Sequence, residues 1–196
     1  MNLYENLPIE QWKEKTTQLV NEHPLKKEEI VDAVLTSWNK IFETYIGNEL
    51  KIGRDIKPGP QILGNYLHEL IPIYFEKKYN GEWQKDKTKM DKNLVCTYNN
   101  FYSIEIKTSS SKKDIFGNRS YAIQAEAEKT KKKQGYYLAI NFEKCTEENE
   151  KPNITLIRFG WLEHSDWISQ TSQTGQQSRL SRDSDSLKLI TLYKKR

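Results

Sequence analysis

With 196 residues, the chain is long enough to bury one sizeable core and short for two, so a single domain over 1–196 is expected. No stretch approaches the roughly 20 consecutive apolar residues of a membrane helix, and the start, with Tyr4, Glu5 and Pro8, lacks a charged-then-apolar leader pattern; the reading is a cytoplasmic protein. Two cysteines, Cys96 and Cys145, without zinc-ligand spacing argue against a disulfide scaffold, and a net charge of +4, concentrated at Lys112–Lys113 and in 129–133, suits a polyanionic partner.

Three parts are expected: a helical part over 1–80, a hairpin and core sheet over 81–160, and a polar insertion with a closing strand over 161–196. Apolar residues recur at helical spacing from Ile9 to Glu22 and again from Lys26 to Ile46, where Ile30, Val31, Val34, Leu35, Trp38, Ile41, Phe42 and Tyr45 form the stripe. Pro24 separates these helices and Gly47 ends the second. Gly53, Pro58, Gly59 and Pro60 describe a loop, with a short strand at Leu50–Ile52, and Pro60 suits the first position of a third helix over Gln61–Lys78. Its apolar side carries Ile62, Leu63, Tyr66, Leu67, Leu70, Ile71 and Tyr74, and Pro72 is expected to bend it. Opposite runs a polar stripe of Gln61, Asn65 and Glu69, either facing water or reaching a site with Glu69 as an added carboxylate. His68 beside it reads as structural.

Gly81–Met90 reads as a loop, Leu94–Tyr98 as a strand, and Asn99-Asn100 as the turn of a hairpin leading into the stretch Phe101–Ser111. That stretch alternates, sending Ser103, Glu105, Lys107 and Ser109 to one face and Tyr102, Ile104 and Ile106 to the other. An acid and an ammonium two residues apart on a half-buried strand are costly unless paired or bound to an ion. A divalent metal is one reason for them: Glu105 and the Ile106 carbonyl offer hard oxygens, and Lys107 can polarise a water beside a phosphate. A solvated edge strand is the other. Further on, Asp114–Ser120 reads as a loop around Gly117-Asn118, Ala122–Lys133 as a helix, and Tyr136–Phe142 as a strand reached by a parallel crossover. Ile154–Phe159 is a strand and Trp161–Ile168 a helix or turn. The Ser-, Thr- and Gln-rich segment Ser165–Ser186 holds too few apolar residues to fold on its own contacts, so it is either disordered or ordered by a partner such as base edges, before a strand at Leu187–Tyr193.

Helices, a hairpin ending in Glu-x-Lys, and a helix leading to another strand together resemble the PD-(D/E)xK nuclease fold, a mixed-sheet α/β core with an N-terminal helical cap. The blocks Ile56–Ile62, Leu67–Pro72, Tyr102–Ser110, Ile115–Tyr121, Gly135–Phe142 and Arg158–Leu162 resemble, more specifically, the ScaI-type group of type II restriction endonucleases. The resemblance implies sequence-specific hydrolysis of double-stranded DNA at a short palindrome, dependent on Mg²⁺ with Mn²⁺ as a substitute. It implies a homodimer, and a cognate DNA methyltransferase as a genetic partner without a stable complex.

The family pattern wants an aspartate before the apolar pair of the preceding strand, and this chain has Asn93-Leu94-Val95 there, with Asp91 the nearest acid. Asn93 keeps the shape and loses the charge, which weakens a metal site and reads as an inactivating Asp-to-Asn change. On the family pattern Glu105, Asn93 (or Asp91) and the Ile106 carbonyl hold the metal and Lys107 positions the water, with Glu69 as an added ligand, directly or through water. Asn65, Ser109, Ser110, Lys112 and Lys113 would then contact phosphates, while Asn118, Arg119, Gln173, Gln176, Gln177 and Arg179 would read bases. The alternatives are a repair or recombination nuclease that reads DNA structure, and a catalytically silent DNA-binding protein.

Overall fold

The helical spacing at the start of the chain produces a 3₁₀ turn, Ile9–Gln11, running into α1 (Trp12–Glu22), and then α2 (Lys27–Glu43). This computed structural model describes residues 2–122, 133–170 and 177–195. At the start of α2 the Lys26 N–H donates to the Glu29 carboxylate at 3.0 Å, and Ile30, Val34, Trp38, Ile41 and Phe42 are buried. The helix ends at Glu43, three residues before the expected Ile46. Tyr45–Ile46 instead form β1, paired with β2 (Leu50–Lys51) around Gly47 and Asn48, both at positive φ, which leaves Tyr45 exposed.

Helix α3 (Pro60–Lys78) starts on its proline and is continuous through Pro72. Leu63, Leu67, Ile71 and Phe75, four residues apart, are fully buried, each worth about 1.5–3 kcal/mol of transfer free energy. Ile62 and Tyr66 are exposed, so the apolar side is narrower than the sequence indicates. Strands β3 (Trp83–Lys85), β4 (Leu94–Cys96), β5 (Ile104–Ser109), β6 (Phe116–Asn118), β7 (Gly135–Phe142), β8 (Ile154–Leu162), β9 (Trp167–Ser169) and β10 (Gln177–Leu180) follow, then α4 (Arg182–Leu187) and β11 (Ile190–Lys194). They form a six-stranded sheet ordered β11-β8-β7-β5-β4-β3 and a three-stranded sheet ordered β6-β10-β9. Only the β5–β7 pair in the large sheet is parallel, as the expected crossover requires. The helix expected over Ala122–Lys133 falls almost wholly outside the described residues.

Each face of the large sheet has its own core. Ile104, Ile106, Leu138, Ile140, Phe142 and Phe159 lie under α2 and α3 with Trp38, Leu63 and Leu67. Gly64 permits this contact, since a Cβ there would sit 2.4 Å from Thr108 Oγ1 on β5. The second face carries Tyr137, Ala139 and Leu162 against Ile115, Tyr121, Trp167, Leu180 and Leu189.

Several expectations change, chiefly where a few well-placed apolar residues outweigh a polar composition. Trp83, 1 % exposed, pulls the Gly81–Met90 loop into strand β3 opposite Cys96. The Gly117-Asn118 loop is strand β6, and Trp161-Leu162 extend β8, so that the expected helix or turn is confined to a 3₁₀ turn at His164–Asp166. Where it is described, the segment Ser165–Ser186 makes contacts within the chain that its composition does not announce. Trp167 and Leu180 enter the second core, and Ser184 Oγ donates to Asp166 at 2.6 Å. Lys188, 1 % exposed, pairs with Asp166 at 2.9 Å and Glu163 at 3.4 Å, and Glu163 also receives the Leu3 N–H, tying this segment to the N-terminus.

Candidate active site

Strand alternation places Glu105, Lys107 and Ser109 on the second face of β5. Glu105 is 3 % exposed, and a carboxylate so deeply buried costs several kcal/mol unless it is compensated. Compensation comes from Lys107 Nζ at 2.9 Å and from the Tyr121 hydroxyl, which donates to the same Oε1 at 2.8 Å. Lys107 also donates to Tyr121 Oη at 2.8 Å, closing a triangle of acid, ammonium and phenol. Burial first, then the Glu105 charge and hydrogen bond, push the Tyr121 phenol well above its ordinary pKa, so it stays protonated and donates. Gly117 makes room for its ring, because a Cβ there would lie 2.9 Å from Tyr121 Cγ.

Strands β4 and β5 pair at Leu94 and Ile104, a register that carries Asn93 across from Glu105. Beyond that pair the strands part, and the Ile106 N–H donates to Asn93 Oδ1 at 2.8 Å. A side chain thus takes the place of the missing ladder acceptor. Lys92, beside it, runs over Gly135, where a Cβ would meet its Cε at 2.6 Å, and brings Nζ to 5.3 Å from the centre of the Tyr137 ring. Tyr137 is the cross-strand neighbour of Glu105. Tyr121 and Lys92 belong to this site and were not singled out from the sequence. Neither falls on a periodic pattern, and the adjacency of Lys92 to Asn93 is the one signal that points to it.

The remaining candidates lie further off. Asp91 accepts the N–H groups of Lys87 and Thr88 at 3.1 and 2.8 Å, closing its own turn, while Asn93 occupies the position facing β5. Glu69 is exposed and pairs with Lys85 on β3, on the helix that covers the Ile104–Ile106 face and not on the face of Glu105. Asn65 is exposed on α3. Past the end of β5, the Ser109 hydroxyl accepts from the Ser111 N–H at 3.0 Å. Ser110, Lys112 and Lys113 line a cleft of about 830 Å³ with Arg158 and Lys194. Asn118 is on β6, Arg119 on the following 3₁₀ turn, and Gln177 and Arg179 on β10. Gln173 and Gln176 lie outside the described residues.

The donors at the split suit a hard divalent cation in kind: the Glu105 carboxylate, the Asn93 amide oxygen and the Ile106 backbone carbonyl. They are one charge short. Glu105 is matched by Lys107, Asn93 is neutral, and among the described residues no three His, Cys, Asp or Glu side chains gather to hold a metal.

Helix α3, the antiparallel strands β3, β4 and β5, and the parallel β7, with Glu105 and Lys107 where β4 and β5 part, define a nuclease core of the PD-(D/E)xK type. Within that class the chain belongs to the ScaI restriction endonuclease family, whose model matches residues 2–193. It is 45% identical over 187 residues to the type II restriction enzyme ScaI of Streptomyces caespitosus, an alignment covering 94% of this chain and 81% of that protein. No solved structure matches the chain.

Proposed function

We propose that the chain is a type II restriction endonuclease that hydrolyses phosphodiester bonds in double-stranded DNA at a short palindrome, with the β4–β5 split as its catalytic centre. The observation that carries this reading is the buried Glu105–Lys107 pair, 2.9 Å apart, beside a residue at position 93 that spans the gap between the strands. Glu105, the Ile106 carbonyl and the side chain at position 93 would hold Mg²⁺, with Mn²⁺ as a substitute. When bound, that cation neutralises the scissile phosphate and lowers the pKa of a water. Lys107, fixed by Glu105 and the Tyr121 hydroxyl, orients the attacking water and stabilises negative charge on the phosphate. Tyr121 is a positioning residue that keeps the acid and the ammonium in register. Ser109, Ser110, Lys112 and Lys113 contact flanking phosphates, which fixes register without reading sequence. A palindromic site calls for a two-fold homodimer, and a cognate methyltransferase in the same cytoplasm would protect host DNA.

Asn93 favours a second reading, a protein that binds its DNA and cuts slowly. Hydrogen-bonding capacity at the strand split is retained and the second negative charge is lost. Plasmid DNA incubated with Mg²⁺ and either the chain as it stands or Asn93→Asp separates the two. Asn93→Asp should cut faster by about a hundredfold or more, with sequenced ends falling at one motif, as expected for several kcal/mol of charge stabilisation. Equal, negligible cutting by both would overturn the assignment of position 93. Ends scattered over arbitrary sequence would favour a structure-reading nuclease.

A further inference from the structure

The three-stranded sheet β6-β10-β9 packs on the catalytic face through its inner side. Gly117, Ser178, Leu180 and Trp167 point inward, and Tyr121, which holds Glu105, packs against Gly117 and at 5.0 Å against the Trp167 ring. Residues directly opposite one another in antiparallel strands share a face, and the register defines two outward rows. Ile168, Arg179 and Phe116 make the first. Gln170, Gln177 and Asn118 make the second, since the Gln170 N–H donates to the Gln177 carbonyl and Gln177 pairs with Asn118. All six side chains are exposed, including the large apolar Phe116 at 39% and Ile168 at 45%. Among the described residues Arg179 makes no ion pair.

Building on the nuclease reading, we infer that this outer face is the base-reading surface and enters the major groove of the DNA, with Arg179 reading a guanine and the Gln177–Asn118 row reading an adenine. Three features point there. An arginine matches the O6 and N7 acceptors of guanine bidentately, a glutamine or asparagine matches adenine, and apolar flanks suit thymine methyl groups. Rows two residues apart are separated by about 6.8 Å, close to two base-pair steps, so both can read one strand. An arginine beside an outward carboxamide row offers donors and acceptors to a groove edge that presents both. The side chain that braces the platform also holds the catalytic acid, so what is read and what is cut are mechanically joined. The face also separates the sequence candidates, because Asn118, Gln177 and Arg179 lie on it and the half-buried Arg119 lies on the turn that follows.

The test selects duplexes from a pool with a randomised core, without divalent metal, using the full chain and its Arg179→Ala, Arg179→Lys, Gln177→Ala and Phe116→Ala variants, whose altered positions are all exposed. The unaltered chain should enrich one short motif. Arg179→Ala and Arg179→Lys should each lose preference at one G·C pair by about tenfold or more, and Arg179→Lys should keep its salt-dependent affinity for arbitrary duplex. Gln177→Ala should lose preference at an A·T pair about two steps from that G·C pair. If all variants enrich the same motif as strongly as the unaltered chain, the platform assignment falls and the nuclease reading stands. Failure of the unaltered chain to retain any duplex at low salt would sink the nuclease reading and this inference with it. If Phe116→Ala splits a dimer in sedimentation while the selected motif is unchanged, the face belongs to a second copy of the chain, which also overturns it.

Discussion

Two sides of one strand face opposite demands. On the α3 side of β5, Ile104 and Ile106 are fully buried in an apolar core, and neither side chain needs a hydrogen bond. On the other side Glu105 is almost as deeply buried, and Lys107 and Tyr121 close around it with hydrogen bonds to one carboxylate oxygen. The first side contributes stability through area. The second spends part of that stability to hold polar and charged groups out of water, which is tolerable because the large core behind it is complete.

The largest effect should come from the charged side. In the Asn93→Asp background, Glu105→Gln should lower metal-dependent cleavage by about a thousandfold or more, roughly 4 kcal/mol in the barrier, while leaving duplex binding measurable. Cleavage within tenfold of the parent would mean that the acid is structural. On the apolar side, Leu138→Ala, beside Ile106 on β7, should cost about 2–5 kcal/mol in urea-monitored unfolding. A cost below 1 kcal/mol would show that this core is loosely packed.

A buried histidine in the same apolar core gives the pH dependence. His23 donates Nε2–H to the Tyr102 carbonyl at 3.0 Å and accepts the Leu25 N–H at Nδ1, and its ring is surrounded by Trp83, Tyr102, Tyr136 and Phe159. Burial lowers its pKa from 6.5 to about 4. The unfolded chain therefore binds a proton that the folded chain refuses. Stability should be level above about pH 6.5 and fall as pH drops toward 4, by a total on the order of 3 kcal/mol. The measurement is the urea midpoint across that range in the parent and in His23→Gln, which should flatten the curve. The smallest effect is expected for Tyr121→Phe: about 1 kcal/mol of stability, and a drop in cleavage of about tenfold as Glu105 and Lys107 lose their shared bridge. Unchanged cleavage would remove Tyr121 from the positioning role.

The catalytic strand was legible because alternation needs only one strand to be visible, and Glu105 and Lys107 interrupt an apolar pattern. The helices were legible for a similar reason. Strands β3, β6, β9 and β10 were not: each is three or four residues long, and each is held by partners distant in sequence, as Trp83 is by Cys96 and Arg179 by Phe116 and Ile168. Tyr121 was illegible because its role rests on three groups meeting in space. Glu69 misled because a polar stripe on a helix looks alike whether it faces a site or pairs with Lys85 in water.

The bond between the Ile106 N–H and the oxygen at position 93 carries a consequence for how such an enzyme loses and regains its edge. Aspartate and asparagine share that oxygen and differ only in the second arm of the side chain, so the backbone junction tolerates either. On the proposed function, folding and cutting are set by different atoms of this one residue. A host without protective methylation could accumulate the amide form unharmed, and a single base change would arm it again.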